Sequence, residues 1–385
     1  MKATGNCTGG YGTMTEHPRI MGFADDRSSK ISEPLSFLEN SEVITISDRD
    51  GMSKYPYLFR KGSKCIDKNQ PDVLLSNYPG RLGATVLTLG QVKDIPVVIR
   101  VGGDMWKTNY EELRQNLRDQ NFLSAVARVG QIGINEVFGS NADGYLVVST
   151  ELQQLVANRT GLPSKRVKRV SVPIDSASYR DGDPVSGREL IGQEAERIIL
   201  TVTNLRFKGK VKGIYYLLQE LEPLLRVNPD ITYVIAGGGQ YLDDLRQYVN
   251  RIVPETIRDQ IIIAGFVPNV ADLYAAASVF VYCSHIDGCP NVVSEAMAAG
   301  LPVVANADHG MIEQITHEET GLLVDADTQG EFTRAVAQVL SNNSLADQFG
   351  SNAQQCVSVR NDSKRIAQEM GVAIEEILDS IESTS

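Results

Sequence analysis

The sequence predicts an α/β protein of two domains, each built on a parallel sheet with helices on both faces. Short apolar segments alternate with helical segments along most of the chain, which is typical of repeated strand–helix units. The apolar segments are nearly continuous, as expected for strands buried on both faces. The polar stretch 176–194 divides the 385 residues into two similar halves. We therefore place an N-terminal domain at 1–180 and a C-terminal domain at 190–363.

The first half becomes readable only after about forty residues, since 1–40 is polar and Gly-rich near its start. Short apolar runs beyond it predict strands, and apolar residues at helical spacing predict helices. In order, the predicted elements are strand 42–47, strand 72–76, helix 81–92, strand 95–101, one long amphipathic helix 110–138, strand 142–148, helix 150–160 and strand 168–172.

The alternation restarts after the polar stretch, whose Asp, Gly, Ser and Pro content predicts a linker. The predicted elements are strand 198–203, helix 213–227, strand 232–236, helix 242–253, strand 260–264, helix 269–277, strand 279–283, helix 291–299, strand 302–305, helix 311–315, strand 321–324 and a last amphipathic helix 364–381. Two halves of this kind predict two Rossmann-like domains that face each other across a cleft.

Charge and hydropathy exclude several classes of protein. The net charge is −11, which argues against non-specific nucleic-acid binding, because that binding depends on positive charge. The longest run without a charged residue, 273–286, is too short to cross a membrane. The segment 1–16 has no apolar core of a secretory signal. We expect a cytoplasmic protein that binds no nucleic acid.

Cysteine and histidine patterns predict no metal site. The five cysteines are scattered and form no CxxC pair. The four histidines show no HxxxH or HxH spacing, although His285 and His309 both flank the proposed cleft. We therefore expect no essential metal and no other cofactor, and a reducing compartment fits the free cysteines.

The most informative segment is 285–305, HIDGCPNVVSEAMAAGLPVVA, which joins a predicted strand to a predicted helix. Ligands bind at the carboxyl ends of strands in open parallel sheets. Gly288 allows the backbone to approach a ligand closely. Pro290 suits the start of a helix, and the free N–H groups of 291–293 can then bind an anion.

Two carboxylates lie in this segment, seven residues apart. Asp287 precedes the helix and Glu295 lies in its second turn. Each carboxylate can accept two hydrogen bonds from a vicinal diol of a sugar. The alternative is that Asp287 caps the helix and that Glu295 is solvated.

The same segment resembles a known family. Asp287-x7-Glu295 followed by AMAAGLPVVA is similar to the E-x7-E signature of retaining glycosyltransferases of the GT-B fold, family 4 type (glycosyl transferases group 1). The flanking segments agree with the family and are 265–268 (GFVP), 273–277 (LYAAA), 309–313 (HGMIE) and 319–324 (ETGLLV). A weaker similarity reaches back to 142–175. The resemblance implies two Rossmann-like domains, with the terminal helix, 364–385, packed back on the N-terminal one.

The resemblance also implies residue roles. Glu295 would bind the ribose of a nucleoside diphosphate sugar, and Asp287 would bind hydroxyls of the transferred sugar. The family usually has Glu at this first position, so the Asp side chain is about 1.5 Å shorter. Gly288, Asn291 and Val292 would complete the donor site. The implied reaction retains the anomeric configuration, with the leaving phosphate accepting the proton of the acceptor.

A basic loop, NLRFKGKVKG at 204–213, follows the first strand of the second half. Cations there would stabilise the charge of a departing nucleoside diphosphate. The family carries an Arg and a Lys-Gly pair in this loop, and we assign Arg206 and Lys212 to these positions. The alternatives are that Asn204 occupies the position of the Arg, that Lys208-Gly209 imitates the Lys-Gly pair, and that the loop is merely solvated.

Glycines after other strands complete the expected site. Gly238 belongs to the Gly-Gly-Gly turn after strand 232–236, which would admit the nucleotide or simply end the strand. Gly103 and Asp104 follow strand 95–101, and we assign them to the acceptor or the sugar; Asp104 could alternatively cap a loop. The family often has a His near this loop, and this chain has none there. Trp106 is expected in the core, and the alternative is that it stacks on a sugar.

The expected partners are a nucleotide-sugar donor and a glycan or lipid-linked acceptor. A basic cluster, which comprises Arg159, Lys165, Arg166, Lys168 and Arg169, suggests peripheral contact with the inner face of a membrane, or else a solvated surface. The rival functions are a sugar-nucleotide epimerase on the same fold and a non-catalytic nucleotide-sugar binding protein. An NAD-dependent oxidoreductase is disfavoured because the Gly fingerprint is incomplete.

Overall fold

The fold is taken from a computed structural model that describes residues 17–24, 29–45, 53–139, 141–192, 196–308 and 310–383. Two parallel six-stranded sheets with helices on both faces confirm the predicted fold class. The Gly-rich start of the chain and His309 lie outside the described residues.

The N-terminal sheet has the strand order β2-β1-β3-β4-β5-β6. Its pairs are parallel, so the carboxyl ends of the strands share one edge. The strands are β1 (Ile20–Ala24), β2 (Glu42–Thr45), β3 (Val73–Ser76), β4 (Val97–Val101), β5 (Gly144–Val147) and β6 (Val167–Arg169).

The C-terminal sheet has the order β12-β11-β10-β7-β8-β9 and is also parallel. The strand order reverses beside β7 and β10, which is the position where doubly wound sheets form a binding crevice. The strands are β7 (Arg197–Val202), β8 (Ile231–Ala236), β9 (Ile261–Gly265), β10 (Val279–Tyr282), β11 (Val303–Asn306) and β12 (Leu322–Val324).

Helices cover both faces of each sheet. They are α1 (Ser29–Leu35), α2 (Lys54–Asn69), α3 (Arg81–Lys93), α4 (Met105–Arg118), α5 (Phe122–Gly139), α6 (Thr150–Thr160), α7 (Ser176–Arg180), α8 (Pro184–Ile191), α9 (Lys208–Val227), α10 (Leu242–Ile252), α11 (Glu255–Arg258), α12 (Val270–Ala276), α13 (Asn291–Ala298), α14 (Met311–Gln314), α15 (Glu331–Ser341), α16 (Asn343–Arg360) and α17 (Ser363–Glu382). Four buried apolar clusters, two against each sheet, form the cores.

The terminal helix α17 packs on the N-terminal domain. Ile366, Met370 and Ile374 are fully buried in one cluster with Ile20 and Val98 of the N-terminal sheet. A Cβ atom on Gly144 would lie 2.5 Å from the Ile377 side chain, so this side chain of α17 packs directly on the backbone of β5. The chain therefore crosses between the domains twice, before β7 and before α17.

The first strand was not predicted. Strand β1 lies beside the centre of its sheet, yet it has only five residues and contains a glycine, so its apolar signal is weak. Gly22 packs closely against α1, since a Cβ atom there would lie 2.6 Å from the end of the Leu35 side chain.

Three predicted boundaries also differ. The single helix 110–138 is two helices, α4 and α5, separated at Gln120, whose φ of 55° cannot continue a helix. The linker carries α7 and α8, which pack on α12 so closely that a Cβ atom on Gly187 would lie 2.0 Å from the Asp272 carbonyl oxygen. Helix α9 begins at Lys208 rather than at 213, which puts the basic loop into its first turns.

Candidate active site

The candidate site lies where the carboxyl ends of the two sheets face each other. Polar contacts join the domains across this cleft. Lys107 Nζ donates to the His285 carbonyl oxygen at 2.8 Å, and Lys208 Nζ donates to Gln115 Oε1 at 2.7 Å. A cavity of about 650 Å³ is lined by residues from both domains. That volume is in the range of small-molecule sites.

Asp287 lies at the bottom of the cleft, in the loop between β10 and α13. Its Oδ1 forms an ion pair with Lys210 Nζ at 2.9 Å. Its Oδ2 accepts hydrogen bonds from Tyr282 Oη at 2.7 Å and Ser284 Oγ at 2.8 Å. Burial opposes the charged form, but the Lys210 charge and these hydrogen bonds outweigh it, so the pKa of Asp287 is lowered. Asp287 is an oriented carboxylate and does not cap α13, which has no side-chain cap.

The cation that forms an ion pair with Asp287 is Lys210, whereas the predicted residue, Lys212, points to solvent. Lys210 and Asp287 are 17% and 16% exposed and both line the cavity. Lys212 is exposed, because residues two positions apart on a helix point about 200° apart. Its neighbour Gly213 has a packing role, since a Cβ atom there would lie 1.9 Å from the Cys283 carbonyl oxygen.

Glu295 is partly buried on α13 and is held by tyrosines. Tyr274 Oη donates to Glu295 Oε2 at 3.0 Å, and Tyr179 also hydrogen-bonds to this carboxylate. Burial raises the pKa of Glu295 above its ordinary value, and the hydrogen bonds from Tyr274 and Tyr179 only partly counter that effect. The solvated Glu295 of the alternative interpretation is therefore not observed.

Three predicted donor-site residues, Gly288, Asn291 and Val292, lie between the two carboxylates along the chain. A Cβ atom on Gly288 would lie 3.5 Å from Gly103 Cα, so the two domains are in contact there. Asn291 and Val292 form the first turn of α13 and are partly exposed, and the Val292 carbonyl oxygen accepts from Tyr274 Oη at 3.3 Å. The first turn of α13 thus presents N–H groups beside Asp287.

The Gly-Gly-Gly turn supports the loop that carries Arg206. The Leu205 N–H donates to the Gly238 carbonyl oxygen at 3.0 Å. A Cβ atom on Gly237 would lie 1.7 Å from the Thr203 carbonyl oxygen, and Gly237 has a φ of 147° that favours glycine. Arg206 is exposed and lines a second cavity of about 950 Å³, next to the first. It does not contact the Lys210–Asp287 pair.

The alternative residues of the basic loop have other partners. Lys208 binds Gln115 across the cleft, as described above, and a Cβ atom on Gly209 would lie 2.9 Å from Ile286. Asn204 Oδ1 accepts from the Arg206 N–H at 2.9 Å and so shapes the loop.

Gly103 and Asp104 line the first cavity from the N-terminal domain. A Cβ atom on Gly103 would meet nothing within 4 Å, so this backbone faces open space. Asp104 caps α4 by accepting from the Lys107 N–H at 2.8 Å, which is the alternative considered for it. Trp106 is 3% exposed, as expected of a core residue.

Two basic side chains of this site were missed in the sequence. Lys30, at the start of α1, lines the same cavity. Arg100 of β4 is 2% exposed, and its Nη2 has no hydrogen-bond partner among the described residues. An arginine inside an otherwise apolar strand was the available signal for Arg100. No spacing pattern pointed to Lys30, because α1 and β10 are far apart in the chain.

The basic cluster at 159–169 is largely used within the protein. Arg169 binds Glu313 of α14 at 3.2 Å, and Lys168 binds Glu376 of α17. Arg166 Nη2 donates to the Ser380 carbonyl oxygen at 3.2 Å. These contacts tie β6 to α14 and α17.

The described residues contain neither a metal-binding cluster nor a helix able to cross a membrane. No group of three or more His, Cys, Asp or Glu side chains there is arranged to hold a metal ion. None of the helices described combines the length and the apolar character that crossing a membrane requires.

The second half of the chain is similar to a known family. Residues 188–356 match the family model of glycosyl transferases group 1. The match covers less than half of the 385 residues, and Asp287, Glu295 and Lys210 all lie inside the matched segment.

Relatives with known names show the same similarity. YtcC of Bacillus subtilis, named as a glycosyltransferase, is 30% identical over 231 residues, which are 56% of each chain. N-acetyl-alpha-D-glucosaminyl L-malate synthase of Bacillus anthracis is 28% identical over 197 residues, 51% of this chain and 50% of that one. The matched segments thus span about half the length of these relatives.

The whole described fold also has solved counterparts. Anabaena HepE in complex with UDP-glucose has a TM-score of 0.68 and 17% identity, with 95% of this chain and 100% of that chain covered. At this identity the likeness shows the fold alone, which is that of the GT-B glycosyltransferases.

Proposed function

We propose that this protein is a glycosyltransferase that moves a sugar from a nucleoside diphosphate sugar to an acceptor in the cleft, with retention of the anomeric configuration. The observation that carries the proposal is the Lys210–Asp287 ion pair in the cleft. It joins an oriented carboxylate to a cation at the strand ends of the segment that matches glycosyl transferases group 1. The carboxylate would accept hydrogen bonds from sugar hydroxyls, and the cation would stabilise the negative charge of the departing diphosphate.

The donor would lie along the C-terminal sheet. Glu295 is oriented by Tyr274 and Tyr179 and would accept hydrogen bonds from the ribose hydroxyls. The N–H groups at Asn291 and Val292 would bind the diphosphate, aided by the dipole of α13. Gly238 would leave room for the nucleotide, and Arg206 would approach the diphosphate from the second cavity.

The proposed transfer step uses these residues. The acceptor hydroxyl would attack the anomeric carbon on the face from which the diphosphate departs. A carbon–oxygen bond to the acceptor forms, the bond to the phosphate oxygen breaks, and that oxygen takes the proton of the hydroxyl. Asp287 has a lowered pKa and stays ionised, so it would bind sugar hydroxyls and would not donate a proton. Lys210 would stabilise the charge on the departing diphosphate.

The test uses UDP-, GDP- and ADP-sugars with the wild-type protein and with Glu295→Gln. We expect one donor to bind, to release its nucleoside diphosphate when an acceptor is present, and to give a product with retained anomeric configuration by NMR. Glu295→Gln should weaken donor binding by about tenfold or more. Donor binding without turnover would favour a binding protein, and donor conversion without an acceptor would favour an epimerase. Inversion would contradict the proposed stereochemistry.

A further inference from the structure

The second cavity continues from the first into the space between the two domains. Five residues line both cavities, among them Phe207 and Gln131. The N-terminal wall of the second cavity is formed mainly by α4, α5 and the segment between them, and its C-terminal wall by the loops after β7 and β8. Asp287 and Lys210 line only the first cavity. A molecule whose reacting group lies beside Asp287 therefore has room to extend into the second cavity.

The lining of the second cavity is rich in neutral polar side chains. Among the described residues that line it, five carry a side-chain amide, three carry a hydroxyl, and Ala127 alone has an aliphatic side chain. The amides are Gln115, Asn116, Asn121, Gln131 and Gln240. Amide and hydroxyl groups both donate and accept hydrogen bonds, as the hydroxyl groups of a sugar do. A lipid chain would find little apolar surface here.

Charged side chains at the second cavity balance one another. Three arginines and two carboxylates line it in the part of the chain that the structure describes. Glu112 is paired with Arg128, and Arg81 has an interaction partner within the protein. The remaining charges, on Arg206 and Asp119, are opposite in sign. The balance favours a neutral ligand over an anionic one.

Several of the neutral groups have no hydrogen-bond partner within the described residues. They include the side-chain amide of Asn116 on α4 and the hydroxyl of Ser124 on α5. Asn121, between these helices, uses its Oδ1 to accept from the Ser124 N–H at 3.2 Å, and its Nδ2 has no partner there. These groups can bind the hydroxyls of a ligand without breaking hydrogen bonds of the protein.

Two aromatic side chains of the C-terminal wall face these polar groups. Phe207 and Tyr241 are both partly buried, and Phe207 lies at the boundary because it lines both cavities. Burial raises the pKa of Tyr241, and the charges of Asp119 and Glu112 raise it further, so its hydroxyl lies near the N-terminal wall. The C–H face of a sugar ring can pack on an aromatic ring while its hydroxyls bind amides.

We propose that the acceptor is a neutral oligosaccharide, with its reacting sugar in the first cavity and the next sugar in the second cavity, bound by Asn116, Phe207 and Tyr241. This inference rests on the proposed function, because it takes the first cavity to be the place of transfer. A single sugar beside Asp287 would leave the second cavity to water. The inference therefore chooses between the glycan and the lipid-linked acceptor that the sequence left open.

The test measures binding of the full-length protein to an array of neutral oligosaccharides, each placed beside its own monosaccharide and beside acidic glycans. The array contains α- and β-linked hexoses and N-acetylhexosamines, and calorimetry gives the affinities of those that bind. We expect at least one neutral disaccharide or trisaccharide to bind about tenfold or more tightly than its monosaccharide, because the second sugar adds hydrogen bonds and ring contacts.

The variants are Asn116→Ala and Tyr241→Ser. Asn158→Ala is the matched control, because Asn158 is exposed on α6 and lines neither cavity. Asn116→Ala should weaken binding of the selected oligosaccharide by about threefold to tenfold, and binding of its monosaccharide and of UDP should stay unchanged. Tyr241→Ser should weaken oligosaccharide binding by about tenfold. Since Tyr241 also packs on the core, Asn116→Ala decides the outcome if Tyr241→Ser does not fold.

Three results would overturn the inference. They are an array on which no neutral oligosaccharide exceeds its monosaccharide, binding of acidic glycans alone, and an affinity that Asn116→Ala leaves unchanged or that Asn158→Ala lowers equally. Failure of the proposed function gives a different result. Oligosaccharide binding that depends on Asn116, without binding of any nucleotide sugar, contradicts the donor site alone. Nucleotide-sugar binding without any preference for oligosaccharides contradicts the role of the second cavity alone.

Discussion

Lys210 binds Asp287 at 2.9 Å, whereas Lys212, two residues further along α9, is exposed to solvent. The difference arises because α9 begins at Lys208, so Lys210 lies in its first turn and faces the cleft. Burial of both partners, at 17% and 16% exposure, strengthens their attraction relative to a surface pair.

The two lysines give a matched pair of variants. Lys210→Met should lower the turnover of a nucleotide sugar by about a hundredfold or more, because it removes charge that stabilises a departing diphosphate. Lys212→Met removes the same charge from an exposed position and should keep turnover within about twofold of the wild type. Release of nucleoside diphosphate measures both. Equal losses would show that Lys210 has no special role.

The stability of the ion pair can be measured separately from activity. Asp287→Asn should reduce the free energy of unfolding by about 3 kcal/mol, because it leaves Lys210 buried without its partner. The double variant Asp287→Asn/Lys210→Met should be more stable than Asp287→Asn alone. Denaturant titrations give the coupling energy. Independent, additive effects would contradict the pairing.

The pH dependence of this pair has a defined sign. The pKa of Asp287 is lowered in the folded protein, so its contribution to stability is present above the unfolded value of about 3.9. That contribution should be lost as the pH falls through the lowered folded value. The difference between wild type and Asp287→Asn should therefore be constant near neutral pH and shrink in acid.

Much of the fold could be predicted because its strands are continuous apolar runs between helices of clear period. Strand β1 was not predicted because it is short and Gly22 interrupts its apolar pattern. The break between α4 and α5 was not predicted because apolar residues keep helical spacing across it. Only the left-handed backbone conformation of Gln120 marks it. Such conformations depend on tertiary packing that local periodicity does not record.

The site was only partly predictable, for a related reason. Asp287 and Glu295 lie in one strand–loop–helix unit, so their spacing along the chain already implies proximity to the cleft. Lys30 comes from the other domain, and only the fold brings it near Arg100, Lys210 and Glu295. The assignment of Lys212 followed from a helix expected to begin at 213, whereas α9 begins at Lys208, and helix starts are the least certain feature of a pattern.

A substitution at Glu295 should lower donor affinity without lowering the stability of the protein. Burial raises its pKa, so the charged form destabilises the folded protein at neutral pH. Glu295→Gln can still accept a hydrogen bond from Tyr274, and it should unfold at the same or higher denaturant concentration while losing donor affinity. The gain in the free energy of unfolding should be largest above the raised folded pKa of Glu295. It should vanish as the pH falls to the unfolded value of about 4.3. A less stable variant would contradict this account of the carboxylate.

Gly213 places α9, and with it Lys210, against β10. Gly213→Ala would force a methyl group to within 1.9 Å of the Cys283 carbonyl oxygen, so α9 must move. We expect a loss of about 2–3 kcal/mol in the free energy of unfolding and reduced turnover. Gly130→Ala on the exposed side of α5 is the control, since nothing lies within 4 Å of its Cβ position. It should stabilise the protein by about 0.5–1 kcal/mol.

The last prediction concerns the charge on Lys30. Its pKa is lowered to about 8 by burial and by Arg100 and Lys210, against about 10.4 in the unfolded chain. Below pH 8 the folded protein must keep a disfavoured charge, so Lys30→Met should raise the free energy of unfolding by an amount on the order of 2 kcal/mol. Between pH 8 and about 10.4 the folded wild type loses this proton first, so its stability rises relative to the variant and the gain disappears. Denaturant titrations of both proteins at pH 7, 9 and 10.5 measure the window. A gain that does not change with pH would mean that Lys30 is not held as a disfavoured cation.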